Sequence, residues 1–235
     1  MDKKLYDKAI EHTTIKIKNS ISIDYFIIQL VSHIEDLDSI SNKLIKRLRD
    51  WYELYLPEIS RIFIEHERFI NIIKKSKEEL IKQYSIKRSM GQDFSKKELI
   101  SLQNLRNEVE SIYKLKNEQI KELSFLMEKH YPNMNILSGP LIGAKLIKLA
   151  GSMKKLIEFP ASTIQLLGAE KALFRHIKTG KKPPKYGILL SHPFVAESKE
   201  KNKTARKLAD KISIAAKVDY FKGEFVGDKL LAMLK

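Results

Sequence analysis

Counting from Ile27, apolar side chains recur at Leu30, Ile34, Leu37, Leu44, Leu48, Trp51 and Tyr55 in alternating steps of three and four, with Ser41 as the one interruption. That spacing predicts a long helix with a heptad seam, ended or kinked at Pro57. A looser version of the repeat, Ile59, Ile62, His66, Phe69, Ile73, Lys77, Leu80 and Tyr84, predicts a second helix. Met90-Gly91-Gln92-Asp93 breaks it, with Gly91 as the expected left-handed stop. A third helix is expected to start at Ser95, whose hydroxyl and Glu98 have the spacing of a capping box. Its seam reads Leu102, Leu105, Val109, Ile112, Lys116, Gln119, Leu123, Leu126 and His130. Two long helices around a tight turn predict an antiparallel coiled-coil hairpin. Leu102, Leu105, Val109 and Ile112 are the expected dimerisation seam, because long apolar seams leave surface that a second copy would bury. Pro132-Asn133 closes this part of the chain.

From Ser138 the pattern changes to short apolar stretches between Gly and Pro. Helices are expected over 141–150, 156–159, 162–177 and 205–218, a Gly/Lys/Pro loop runs to Tyr186, and Gly187-Ile-Leu-Leu is an extended candidate. The expected fold class is therefore all-α, with a helical coiled-coil region over 1–137 and a compact helical domain over 138–235. No internal repeat is visible.

Charge sharpens this division. Of 44 Lys+Arg and 29 Asp+Glu, residues 1–137 hold 24 and 21, whereas residues 138–235 hold 20 and 8. Such asymmetry points to a nucleic-acid or membrane surface on the basic half. No run reaches the roughly 18 consecutive apolar residues of a membrane span, so no membrane partner is expected. The sequence has no cysteine, which excludes disulfides and thiolate metal sites. No signal peptide is recognisable.

Enzymatic templates fail on spacing. Gly139-Pro-Leu-Ile-Gly143-Ala-Lys145 has three residues between its glycines and an alanine before the lysine, so it is not a Walker loop. The six histidines, at 12, 33, 66, 130, 176 and 192, form no i, i+3 or i, i+4 ligand pair. No catalytic residue, metal or cofactor is expected. What stands out is a cationic cluster: Lys171, Arg175, His176, Lys178, Lys181, Lys182 and Lys185, with Glu170 as the only carboxylate among them. Ile164, Leu167 and Leu173/Phe174 are expected to face the core, sending Lys171, Arg175 and Lys178 outward along one stripe. That geometry suits a phosphate backbone, and His176 is placed to stack on a base or meet a phosphate. Pro183-Pro184 would stiffen the loop that presents Lys185 and Tyr186. The alternative is a solvated basic face on a structural coiled-coil protein.

The run AGSMKKLIEFPASTIQLLGAEKALFRHIKTGKKPPKYG, residues 150–187, resembles the signature of the Nop domain, found in scaffold subunits of box C/D ribonucleoprotein 2′-O-methyltransferases. RLRDWYELYLPE at 47–58 and KNKTARKLADKISIAAKVD at 201–219 extend the resemblance over nearly the whole chain. It implies that Gly168, Ala169, Glu170 and Lys171, followed by Ala172 to Arg175, lie against guide RNA, with Arg206 as a further contact. It implies that Pro184 to Gly187 sit beside a kink-turn, where RNA and a ribosomal-type kink-turn-binding protein are met together. The coil implies a homodimer, as in archaeal members. The chain begins almost at the coil, so a truncated member is expected, lacking the N-terminal domain that recruits a fibrillarin-like methyltransferase. Absence of cysteine, abundant Ile and Lys and no lysine-rich tail suggest an archaeal, cytoplasmic protein; a eukaryotic member would be nucleolar. The relative acting on spliceosomal small nuclear RNA differs within GAEKALFR and is the runner-up.

Overall fold

A computed structural model describes residues 3–234, and every regular element in that span is helical. In chain order these are α1 (Lys3–Ser20), α2 (Ile23–Tyr55), α3 (Pro57–Ile62), α4 (His66–Ile72), α5 (Lys77–Gln83), α6 (Lys96–His130), α7 (Pro132–Ala150), α8 (Met153–Glu158), α9 (Ala161–Leu166) and α10 (Glu170–Thr179). A 3-10 turn (Ile188–Ser191), α11 (Pro193–Ala196), α12 (Lys201–Tyr220) and α13 (Gly227–Ala232) complete it. The chain divides into two compact units, one of residues 33–119 and one of 1–32 with 120–235.

In the 33–119 unit, α2 runs antiparallel to α6. Lys116 Nζ meets Asp38 Oδ1 at 2.8 Å near one end, and Gln92 N donates to Leu54 O at 2.8 Å near the other. The expected second long helix is instead three short ones. Lys74–Ser76 and the Phe63–Glu65 link interrupt the looser repeat, which lets Phe69, Ile70, Ile73 and Leu80 all reach a core built on Ile45, Leu48, Tyr52, Leu56 and Ile59. One straight helix could not present all of them, since its faces turn away every 3.6 residues. Tyr52 rather than Trp51 points inward, packing edge to face on Phe69 at 5.4 Å. Arg49 crosses the Phe69 ring at 4.3 Å and donates to the carbonyls of Ser60 at 3.1 Å and Ile64 at 2.9 Å, fixing the α3–α4 link. The capping box at the start of α6 forms as expected: Ser95 N donates to Glu98 Oε2 at 2.7 Å and Glu98 N to Ser95 Oγ at 3.4 Å. Gly91 is no left-handed stop. It is required because a side chain there would overlap the Tyr55 carbonyl.

In the other unit, Pro132 opens a helix rather than closing a region. It occupies the first turn of α7, where proline's missing N–H costs nothing. The donors of that turn go to Asp219 at the end of α12: Met134 N at 2.8 Å, Asn133 N at 3.1 Å and Asn133 Nδ2 at 2.8 Å. Asn133 Oδ1 accepts from Val226 N at 2.7 Å, tying in the start of α13. Burial pushes the Asp219 carboxyl up, and these bonds to its ionised form oppose that rise. Asp24 does similar work in the core, accepting from the Tyr131 hydroxyl and from Met153 N. Within α7 the helix breaks at Gly139, with φ +70°, one residue before Pro140. α12 then packs on α7, α8 and α9 through Ala205, Leu208, Ala209, Ile212, Ala215 and Ala216, all fully buried.

Candidate nucleic-acid interface

The expected helix over 162–177 is two helices. α9 ends at Leu166, the chain turns through Gly168 at φ +86°, and α10 begins at Glu170. Any β-carbon at 168 would strike Ile188 Cγ2, and positive φ adds strain for any other residue. Gly168 N donates to Glu170 Oε1 at 2.7 Å, so the Glu170 side chain closes the turn, while Ala169 is the N-cap of the helix. Gly180, left-handed at φ +66°, ends α10.

α10 buries no side chain fully. Lys171, Arg175 and Lys178 point outward as expected. Leu173 and Phe174 do not face the core, however: Phe174 is 68% exposed and Ile177 70%. The turn at Gly168 rotates α10 out of the register that would have carried the α9 apolar face forward. Only Ala172 and His176 lean on the body of the unit. His176 is not free for a base, because its Nδ1 donates to the Lys181 carbonyl and staples the helix end to the following loop. Among the described residues, no carboxylate pairs with Lys171, Arg175, Lys178, Lys181, Lys182, Lys185 or Arg206.

The loop after α10 returns to α9 by backbone contacts: Gly187 N donates to Gln165 O and Ile188 N to Leu167 O, both at 2.8 Å. Gly187 passes so close to the Leu167 carbonyl that a side chain would overlap it. The residues after it form the 3-10 turn, not the extended segment expected, because Leu189 is drawn into the core. Gln165 Nε2 donates to Lys185 O at 2.6 Å and to Asn202 Oδ1 at 3.1 Å, clamping the loop to the start of α12. Sequence reading did not single out Gln165; it lies inside the resemblance but carries no charge to attract notice.

This clamp brings Lys185 and half-buried Tyr186 beside Lys199, Lys201 and Lys203, around an open cleft of about 460 Å³ that Glu200, paired with Lys203 at 3.1 Å, also lines. A second cleft, of about 470 Å³, runs along α12 between Pro160–Ser162 and Lys203, Arg206, Lys207 and Asp210. Arg206 is thus part of a cationic strip along α12, whereas α10 lines neither cleft. Lys199, Lys201, Lys203 and Lys207 were visible in sequence only as basic flanks of an expected helix. Leu102 and Val109 of the expected dimer seam are buried in the core of their own unit, and Leu105 packs against it. Ile112 is half-buried. Among the described residues, no group of three His, Asp or Glu could hold a metal, and no helix is long and apolar enough to cross a membrane.

Residues 33–235 match the Nop family, described as "snoRNA binding domain, fibrillarin". The chain belongs to the Nop family. It is 40% identical over 230 residues to an uncharacterised NOP5 family protein of Methanocaldococcus jannaschii, covering 90% of this chain and 55% of that protein. It is 35% identical to human nucleolar protein 56, covering 88% of this chain and 39% of that protein. The chain therefore spans about half the length, or less, of these Nop relatives. A similar solved structure is the fibrillarin/Nop5p complex, with a TM-score of 0.58 at 27% identity, covering 99% of this chain and 77% of that one.

Proposed function

We propose that this Nop protein is a non-catalytic scaffold of a box C/D-type ribonucleoprotein. Its α10, the 180–187 loop and the cationic strip of α12 meet the backbone of a guide RNA. The observation that carries this reading is α10 itself: a helix that buries none of its side chains fully while holding three uncompensated cations on one stripe. Unpaired cations on a rigid, Gly-braced helix repel one another, and a polyanion relieves that repulsion with release of its counterions.

The face holds many phosphate-type donors and few base-reading groups, which suits positioning rather than sequence readout. Specificity then comes from a ribosomal-type kink-turn-binding protein that bends the RNA first, with Lys185 and Tyr186 across the joint surface. A fibrillarin-like methyltransferase supplies the chemistry as a separate subunit. The names of the relatives and of the fibrillarin/Nop5p complex support this assignment of roles.

Homodimerisation belongs to the same proposal, on a different surface from the one expected. With Leu102 and Val109 committed to their own core, the apolar groove of Trp51, Leu54 and Phe94, edged by Lys97, Glu98 and Ser101, is the better contact in the 33–119 unit.

The RNA half is tested by the salt dependence of guide-RNA binding. Each phosphate contact should contribute about −0.7 to −0.9 to the slope of log K against log salt, and Arg175→Ala should remove about one such contact. An unchanged slope would place the α10 stripe away from the RNA.

A further inference from the structure

The 180–187 loop and the start of α12 face one another with the same sign of charge. Lys185 on the loop and Lys199, Lys201 and Lys203 beside it border one cleft. Among the described residues that line it, Glu200 is the one carboxylate, and it is already paired with Lys203 at 3.1 Å. Like charges around one cleft repel, most strongly where salt is low and the screening length is long. Holding the loop there without RNA therefore requires an uncharged tie.

Other bonds to the loop supply only part of it. Gly187 N to Gln165 O and Ile188 N to Leu167 O fix the end of the loop to α9, and the bond from His176 Nδ1 to the Lys181 carbonyl fixes its start. None of these reaches α12. The Gln165 side chain does: its Nε2 donates to Lys185 O at 2.6 Å and to Asn202 Oδ1 at 3.1 Å. A primary amide carries two N–H donors, and both partners here are acceptors, so each donor is used. The base of the tie is firm, because α9 packs on α12 with Ile164 fully buried.

We propose that Gln165 is a positioning residue: its neutral amide holds a like-charged loop and helix together before RNA arrives, so that Lys185 is presented beside the α12 strip. The consequence for RNA rests on the function proposed above; the tie itself does not. A loop in place only part of the time binds more weakly by that fraction, and Gln165 removes this loss. It acts through Lys185 and needs no contact with RNA of its own.

The full chain has no cysteine, so spin labels can be placed by Lys182→Cys on the loop and Ile214→Cys on α12, neither of which lines the cleft. Without RNA, the distance between them should be narrowly distributed and independent of salt while Gln165 is present. Gln165→Met, similar in size and uncharged, should broaden it at about 0.01 M salt. The broadening should shrink towards about 1 M, as the screening length falls from about 30 to about 3 Å. A purely packing role for Gln165 would give no such salt dependence. Asn202→Ala, at an exposed position, removes only the α12 bond and should broaden the distribution less, which keeps the test decisive if Gln165→Met misfolds. A distribution left narrow by both variants, or broadened equally at both salt concentrations, overturns the proposal.

Guide-RNA affinity gives the second reading. Gln165→Met should weaken it by about tenfold, and Lys185→Ala, costly in the wild type, should cost little more on that background. Fully additive losses would separate Gln165 from Lys185 and overturn the positioning role. If Lys185→Ala leaves wild-type affinity unchanged, the RNA reading of the loop fails, and the spin-label distances alone decide the tie.

Discussion

Single side chains decide much of this structure, and most of them are polar. Glu110 gathers Lys74 and Lys114 through hydrogen bonds that hold its carboxyl down from the ordinary 4.5 to about 2. A carboxylate depressed in the folded state stabilises the fold fully above its ordinary pKa, and the contribution is lost as pH falls through the folded value. The urea midpoint of Glu110→Gln should therefore lie below wild type at pH 7, and the gap should close as the pH is lowered from about 4.5 towards about 2. A gap independent of pH would mean that Glu110 acts by packing and not by charge. None of this was legible in the sequence, where Glu110 is one carboxylate among many on a charged helix. Asp24, Asn133 and Asp219 were equally silent, because their partners lie 85 or more residues away. Conversely, Ser95 and Glu98 were legible because both halves of their exchange sit within four residues.

At the scale of elements, local pattern located helices well and their continuity poorly. The seam from Ile27 to Leu48 and the start of α6 follow the spacing, since burial along one face is what that spacing records. The weaker repeat from Ile59 to Tyr84 predicts one helix because heptad spacing survives interruption by short links; the tertiary core, not the local repeat, fixes the breaks. The split between α9 and α10 has a local cause, Gly168, but the reason a glycine is needed there is Ile188, twenty residues on. Gly187 tests the same joint. Gly187→Ala drives a methyl into the Leu167 carbonyl and should cost about 1–3 kcal/mol, read as a lowered Tm, with parallel loss of RNA affinity as Lys185 is displaced. Wild-type stability in Gly187→Ala would show that the loop does not dock on α9 in solution.

For the molecule as a whole, charge asymmetry and the Nop resemblance mark from sequence the basic half where RNA contact is proposed, and the all-α class follows from the hydrophobic pattern. The surface proposed for a second copy differs from the expected seam, because the most regular apolar positions of α6 fill the core of their own unit. The two possibilities separate cleanly. Leu54 is 61% exposed and Val109 wholly buried. Leu54→Glu should keep its helical circular dichroism and sediment as a monomer of 27.3 kDa, whereas Val109→Asp should lose stability by several kcal/mol for burying an unpaired charge. A dimer that survives Leu54→Glu would move the contact elsewhere.

The central claim is that this chain reads an RNA already shaped by a partner, and it is tested most directly by comparing its affinity for one kink-turn guide RNA with and without the bound kink-turn protein. With the partner fixing the bend, the ordering cost falls on that protein and the joint surface at Lys185 and Tyr186 is complete. The expected result is binding to the RNA–protein complex at least about tenfold tighter, roughly 1.4 kcal/mol, than to the RNA alone. Lys185→Glu should remove most of that difference while leaving the helical content unchanged. Equal affinity for naked and protein-bound RNA would contradict the scaffold reading and leave only a generic basic face.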